Sequence, residues 1–220
     1  MKPSWRFLQL ADAAFPTGGF AHSGGLESAL QAGEVGDAAA LSRFAGQSLW
    51  QAGHFALPLI RSAHDDPHRL AELDARADTF LVNHVSNRQS RTQGRALLAT
   101  AAAIFPNEVT PLREEARRAA LLLHHAPLSG AIYTHLGLTL DESQRLFLFT
   151  TLRGVLSAAV RLGLIGTHHS QTLQSSLGPS LDDVLATCAN LPLESLAQTA
   201  PIADLLAAAH DRLYSRMFQS

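Results

Sequence analysis

The chain has 220 residues, 46% apolar and 16% charged, with a formal net charge of −2. That bounds it to a globular protein with one sizeable core, and no overall field draws it to nucleic acid or anionic lipid. Lys2 is the only lysine and Cys188 the only cysteine, which excludes a catalytic lysine in the body of the chain, a disulfide framework and a thiolate metal cluster.

The apolar run after Lys2 and Arg6 is cut short by Asp12, too early for a secretory h-region. No stretch of about 18 uncharged apolar residues follows, so no membrane span is expected and a reducing, cytoplasmic setting fits. Pro16 then introduces the least helical segment of the chain. Gly18-Gly19 and Gly24-Gly25 bracket Phe20-Ala21-His22-Ser23, with Leu26-Glu27 directly behind. Four glycines in eight positions give up much conformational freedom on folding, so the block is expected to be a shaped surface loop with a functional reason.

From there the helical period dominates. Asp37 is an expected N-cap, after which Leu41, Phe44, Leu49, Ala52, Phe55 and Leu59 form one buried stripe. Pro58 sits inside that pattern and should kink it, because it removes the bond to the His54 carbonyl. Asp66-Pro67 and Thr110-Pro111 pair a cap with a helix-starting proline, and Ser86/Gln89 and Thr139/Glu142 match capping boxes. Gly33, Gly163 and Gly178 are expected helix stops. The stretch from Asp141 to Leu162 is apolar almost all round, as in a central buried helix. Beyond Gly166 a helix is expected through Leu173 to Ala189, then a last one after Pro201 that fades near Tyr214. No strand pattern, repeat or long linker competes. The expectation is one all-α domain spanning 1–220, a bundle of about eight to ten helices.

The motifs of common chemistries are missing. Gly19-x4-Gly24 has Walker-loop spacing, but Gly25-Leu26 stand where Lys-Ser/Thr belong and no strand precedes it. HExxH, CxxC and GxSxG do not occur. Histidine, eleven of 220, is in excess. The doublets His124-His125 and His168-His169 point about 100° apart on a helix and chelate poorly. They read either as solvated or capping residues or as transient ligands of a soft divalent ion such as nickel. Arg88, Arg91 and Arg95 make a basic stripe, either a wet helix face or a docking strip for a partner's carboxylates; Gly94 beside Arg95 costs about 1 kcal/mol of helix propensity and favours a close contact there. In the ending Tyr214-Ser215-Arg216-Met217-Phe218-Gln219-Ser220, a packed apolar stripe from Leu206 through Met217 competes with a segment that orders on a partner.

Leu8-Gln9-Leu10-Ala11-Asp12, Phe15-Pro16-Thr17-Gly18-Gly19-Phe20 and His22-Ser23-Gly24-Gly25-Leu26-Glu27 closely resemble the opening of the UreF family of urease accessory proteins. So do Gln93-Gly94-Arg95-Ala96-Leu97-Leu98, Val160 through Gly166, and the tail from His210 to Ser220, in family order across essentially the whole chain. Met217 stands in place of a usual leucine and Thr17 in place of an aliphatic residue. The resemblance implies an all-helical, non-catalytic homodimer. It would join UreD (also called UreH) and the GTPase UreG to deliver nickel into apo-urease, with no tightly bound cofactor of its own. It assigns the tail 214–220, through Tyr214, Arg216 and Phe218, to docking on UreD. Ser23 and Glu27, in the Gly18, Gly19, Gly24, Gly25 block, would belong to a gate coupled to UreG, and Arg95 joins these as a partner-binding residue. A helical enzyme or small-molecule-binding domain, and a nickel carrier using its histidines, are the competing readings.

Overall fold

Asp37 accepts the Ala40 N–H at 2.8 Å and starts the longest helix of the molecule. The computed structural model describes residues 4–220. Their α-helices are α1 (Trp5–Ala11), α2 (Leu26–Gln31), α3 (Ala38–Asp65), α4 (Leu70–Phe80), α5 (His84–Ile104), α6 (Pro106–Arg118), α7 (His125–His135), α8 (Leu140–Arg161), α9 (Thr167–Ser176), α10 (Gly178–Cys188) and α11 (Pro201–Ala208). Short 3₁₀ turns lie at Gly19–Ala21, Pro67–Arg69, Leu193–Ser195 and Ala209–Arg212. The fold is all-α, with no strand among the described residues. Its eleven α-helices exceed the expected eight to ten, in part because one expected helix is divided into α9 and α10.

Helix α3 is the axis of the bundle and packs on α7, α8 and α10. Pro58 does not end it. The helix continues to Asp65, and the freed His54 carbonyl accepts the Ala197 N–H at 3.4 Å. Helix α7 is the one enclosed on every side, with every residue from Ala126 to Tyr133 buried. Helix α8 forms where the apolar pattern placed a central helix, and the Thr139–Glu142 capping box starts it, but Thr150, Thr151, Arg153 and Gly154 stay half exposed.

Close helix crossings explain three glycines by lack of space. A Cβ on Gly130 would lie 2.3 Å from the Ile60 carbonyl oxygen on α3, and one on Gly53 would lie 2.6 Å from Val184 on α10. On Gly94 it would lie 1.9 Å from the Leu123 carbonyl oxygen. The close contact expected at Gly94 is therefore internal: α5 is pressed against the chain leading into α7.

Several boundaries fall elsewhere than the caps suggested. Asn83, accepting the Val85 N–H at 2.9 Å, caps α5 three residues before Ser86, whose hydroxyl instead reaches Asp204. Helix α6 begins at Pro106, placing Pro111 inside it, because Phe105 supplies the turn without any capping side chain. Gly33 and Gly163 are left-handed stops, whereas Gly178 opens α10 and splits the helix expected beyond Gly166, through Leu173 to Ala189, in two. No helix among the described residues is long and apolar enough to cross a membrane.

Candidate functional site

The glycine block folds as two left-handed corners around a single turn. Gly18 (φ +75) and the pair Gly24 (φ +62) and Gly25 (φ +88) take backbone angles that side chains disfavour, while Gly19 begins the 3₁₀ turn with ordinary geometry. Space is short at the corners as well. A Cβ on Gly18 would come within 2.9 Å of Ala96 on α5, and one on Gly25 within 3.0 Å of Ala207 on α11. The block is thus wedged between α5 and α11, and Gly25 launches α2 so that Glu27 sits in its first turn.

Glu27 is a buried acid. It is only 2% exposed, and the 213–220 segment covers it. Its carboxylate accepts the Met217 N–H at 2.7 Å and the Phe218 N–H at 3.1 Å, and His210 Nε2 lies 3.1 Å from Oε2. Around this centre the two chain segments run along each other. The Ser23 N–H and hydroxyl both donate to the Ser220 carbonyl, at 2.6 and 3.1 Å, and the Gln219 N–H donates to the Ala21 carbonyl at 2.8 Å. Gln31 donates to the Ser215 carbonyl at 3.0 Å, and His22 Nδ1 meets Ser220 Oγ at 2.5 Å.

Arg161, from the end of α8, closes the clamp. Its guanidinium lies 3.8 Å from the Phe20 ring centroid and 4.2 Å from that of Phe218, and it donates to the Phe20 carbonyl. Two aromatic faces around one cation are worth about 0.5–2 kcal/mol each. Phe218 is buried as a result, while Phe20 keeps an outer surface.

The site residues named from the sequence divide accordingly. Gly18, Gly19, Ser23, Gly24, Gly25, Glu27 and Phe218 come together in one clamp. Tyr214 projects fully into solvent at the outer turn of the segment. Arg216 reaches Asp211 at 3.5 Å, and Asp211 also takes both ends of the Arg88 guanidinium at 2.8 and 3.0 Å and faces His84 at 3.2 Å. The Arg88 hydrogen bonds hold the Asp211 carboxyl down at about 2. Arg95 lies apart from the clamp, on the wall of an open groove along α5. The apolar stripe expected from Leu206 through Met217 on one helix does not form: α11 stops at Ala208, a 3₁₀ turn follows, and the chain then bends at 214–215 and 217–218 as it crosses Glu27.

His210, Arg161 and His22 were missed as parts of this site. Arg161 and His210 lie in ordinary helical patterns whose only sequence signal is membership of segments that resemble the family, whereas His22 lies inside the glycine block itself. The histidines also differ from a solvated set. His22 and His124 are buried, and burial, then the charges of Arg88 and His210, pull the His22 imidazole down to about 4. Burial, then the charge of His22, brings His125 to about 4 as well. His124 is also lowered by burial, and its ring joins Ser90 and Asp78. His168 and His169 remain exposed.

The most elaborate polar chemistry of this helical body locks one of its loops to a distant segment, with Phe20, Tyr214 and Arg216 left facing outward. The chain belongs to the UreF family, whose profile matches residues 35–178. It is similar to urease accessory protein F of Arabidopsis thaliana, 36% identical over 223 residues, covering 98% of this chain and 92% of the relative. The urease accessory protein F of Oryza sativa subsp. indica is 35% identical over 219 residues, covering 97% and 84%. Urease accessory protein UreF of Ectopseudomonas mendocina is 32% identical over 231 residues, covering the whole of both chains. The glycine block and the 213–220 segment lie outside the profile match but inside the match to the Ectopseudomonas mendocina protein, which covers the whole chain.

Proposed function

We propose that this protein is a cytoplasmic urease accessory protein that works as an adaptor, without catalysis of its own, in inserting nickel into apo-urease. In this reading it is a homodimer that presents one surface to the GTPase UreG and another to UreD, the nickel being cargo of the assembly and not a resident ligand of this chain. The relatives' names support the urease role. The observation that carries the adaptor reading is the Glu27 clamp. It makes the glycine block and the Tyr214–Arg216 turn one mechanical unit, so a protein seated on either would feel the state of the other.

Such coupling needs a difference in contact energy between states of UreG, since a partner that binds two states equally shifts nothing. Glu27 suits that task by what it holds. Three donors converge on one carboxylate, and loosening them changes the outward face that carries Tyr214 and Arg216. Tyr214, with no packing role, is the residue whose exposure has the least structural explanation. The test is a pull-down from cells expressing the full urease operon, comparing wild type with Tyr214→Ala, Arg216→Ala and a deletion of the last few residues. Lost co-purification of UreD and a lower nickel content of urease are expected. Normal UreD capture and fully nickel-loaded urease with all three variants would defeat the proposal.

A further inference from the structure

The open groove along α5 has a volume of about 570 Å³ and carries the basic stripe that the clamp leaves aside. Arg88, Arg91 and Arg95 line it on successive turns, with His84, Asn87 and the exposed Val82 at one end. The three arginines are in different situations. Arg88 is already satisfied by the two-pronged contact with Asp211. Arg91 has its Nε sealed from solvent with no acceptor, and neither Arg91 nor Arg95 makes an ion pair among the described residues. Asp78, whose carboxyl feels the charge of Arg91, is engaged instead by Asn87 at 2.8 Å and His124 at 3.1 Å.

From this arrangement we infer that the α5 groove is a docking site for a carboxylate-rich segment of a partner protein, with Asp211 as the chain's own occupant of its first position. A guanidinium binds a carboxylate through two parallel N–H donors, the geometry that Asp211 and Arg88 already display. Two further guanidinium groups follow on the same face, at the spacing of successive helical turns, so acidic side chains of an extended or helical segment would continue the series. Charge complementarity therefore identifies the occupant, and Val82, 83% exposed at the groove's end, gives an apolar neighbour that a small inorganic anion would not use. The inference deepens the adaptor reading by naming the chemistry of one of its docking surfaces.

The test uses the full-length protein and a fluorescein-labelled hexaglutamate peptide, with its hexaglutamine counterpart and inorganic phosphate as competitors. Arg95 is exposed, so Arg95→Glu leaves folding intact. It is expected to weaken hexaglutamate binding about tenfold or more, in a salt-sensitive way, and Arg91→Gln should do likewise. A control with Arg117→Glu and Arg118→Glu on the exposed side of α6 should bind within about twofold of wild type. Equal affinity for the two peptides, wild-type binding by Arg95→Glu, or displacement by phosphate at millimolar levels would overturn the inference, the last by making the groove a small-anion site. The same variant in operon-expressing cells separates this from the adaptor reading. If peptide binding is lost while urease matures normally, the groove stands as an acidic docking site and its link to urease falls.

Discussion

His210 Nε2 and Glu27 Oε2 lie 3.1 Å apart with both side chains closed off from solvent, although 183 residues separate them in the chain. The same carboxylate receives two backbone N–H groups of the following segment, so one acid organises three donors. A buried acid is costly unless its oxygens are occupied, and here every contact that occupies it comes from residues 210–218.

Glu27→Ala should therefore free the segment locally and leave the bundle standing. Left without an acceptor, each buried donor would cost about 1–3 kcal/mol, but the Met217 and Phe218 groups can escape that cost by detaching into water. The expected outcome is accelerated amide exchange across residues 215–220 with α3, α7 and α8 unchanged, and Glu27→Gln, which keeps one acceptor, should fall between. Wild-type protection at Met217 and Phe218 in the alanine variant would contradict the clamp.

Acid should weaken the fold between about pH 6.5 and 4. His22 and His125 have folded values near 4, below their ordinary 6.5, so the unfolded chain binds their protons first. The stability tied to their neutral forms is complete above about pH 6.5, declines through that interval and is gone below 4, on the order of 3 kcal/mol per histidine at the limit. Urea melts at several pH values, compared with those of His22→Asn and His125→Phe, would read this out. The variants should show a flatter decline, and a wild-type slope in both would refute the assignment.

Gly94 and Gly154 offer a controlled pair. Both lie inside helices, yet a Cβ at Gly94 would meet the Leu123 carbonyl at 1.9 Å, whereas at Gly154 nothing lies within 4 Å. Gly94→Ala is expected to cost about 2–3 kcal/mol or more through forced backbone movement. Gly154→Ala should be neutral or stabilise by up to about 1 kcal/mol, since helical glycine is the more entropically costly residue. Thermal melts of the two variants check this. Equal melting temperatures would rule out the close approach at Gly94.

Asp74 holds the turn that Gly94 admits. Its buried carboxylate accepts the N–H groups of Leu122, Leu123 and His124, at 2.6, 3.2 and 2.7 Å. Leu123 there is left-handed (φ +69). Asp74→Ala should destabilise by about 3 kcal/mol or more, because three donors lose one shared acceptor. Chemical denaturation measures it, and a loss under about 0.5 kcal/mol would mean water replaces the carboxylate.

Much of the fold was legible because helices advertise themselves locally. Asp37, the Thr139–Glu142 box, Gly33 and Gly163 act within a turn or two of their own position, and each behaves as its residue type predicts. The errors share a physical origin. Asn83 outcompeted Ser86 for the α5 cap, and Pro111 was absorbed into α6, because packing against distant elements selects among local signals that are nearly equal.

The site was legible only as an anomaly. Four glycines among eight residues marked the block as shaped, and the family resemblance marked the segment that ends the described chain, but neither reveals that the two are one object. Composition and period alone determined an all-helical protein without the motifs of familiar catalysis. Tertiary structure alone decided that Glu27 is buried, that Arg161 sits between Phe20 and Phe218, and that Arg91 keeps an unanswered donor in a groove. Helix propensity is a property of neighbours along the chain, whereas the occupancy of a carboxylate depends on groups that only folding brings within 3 Å.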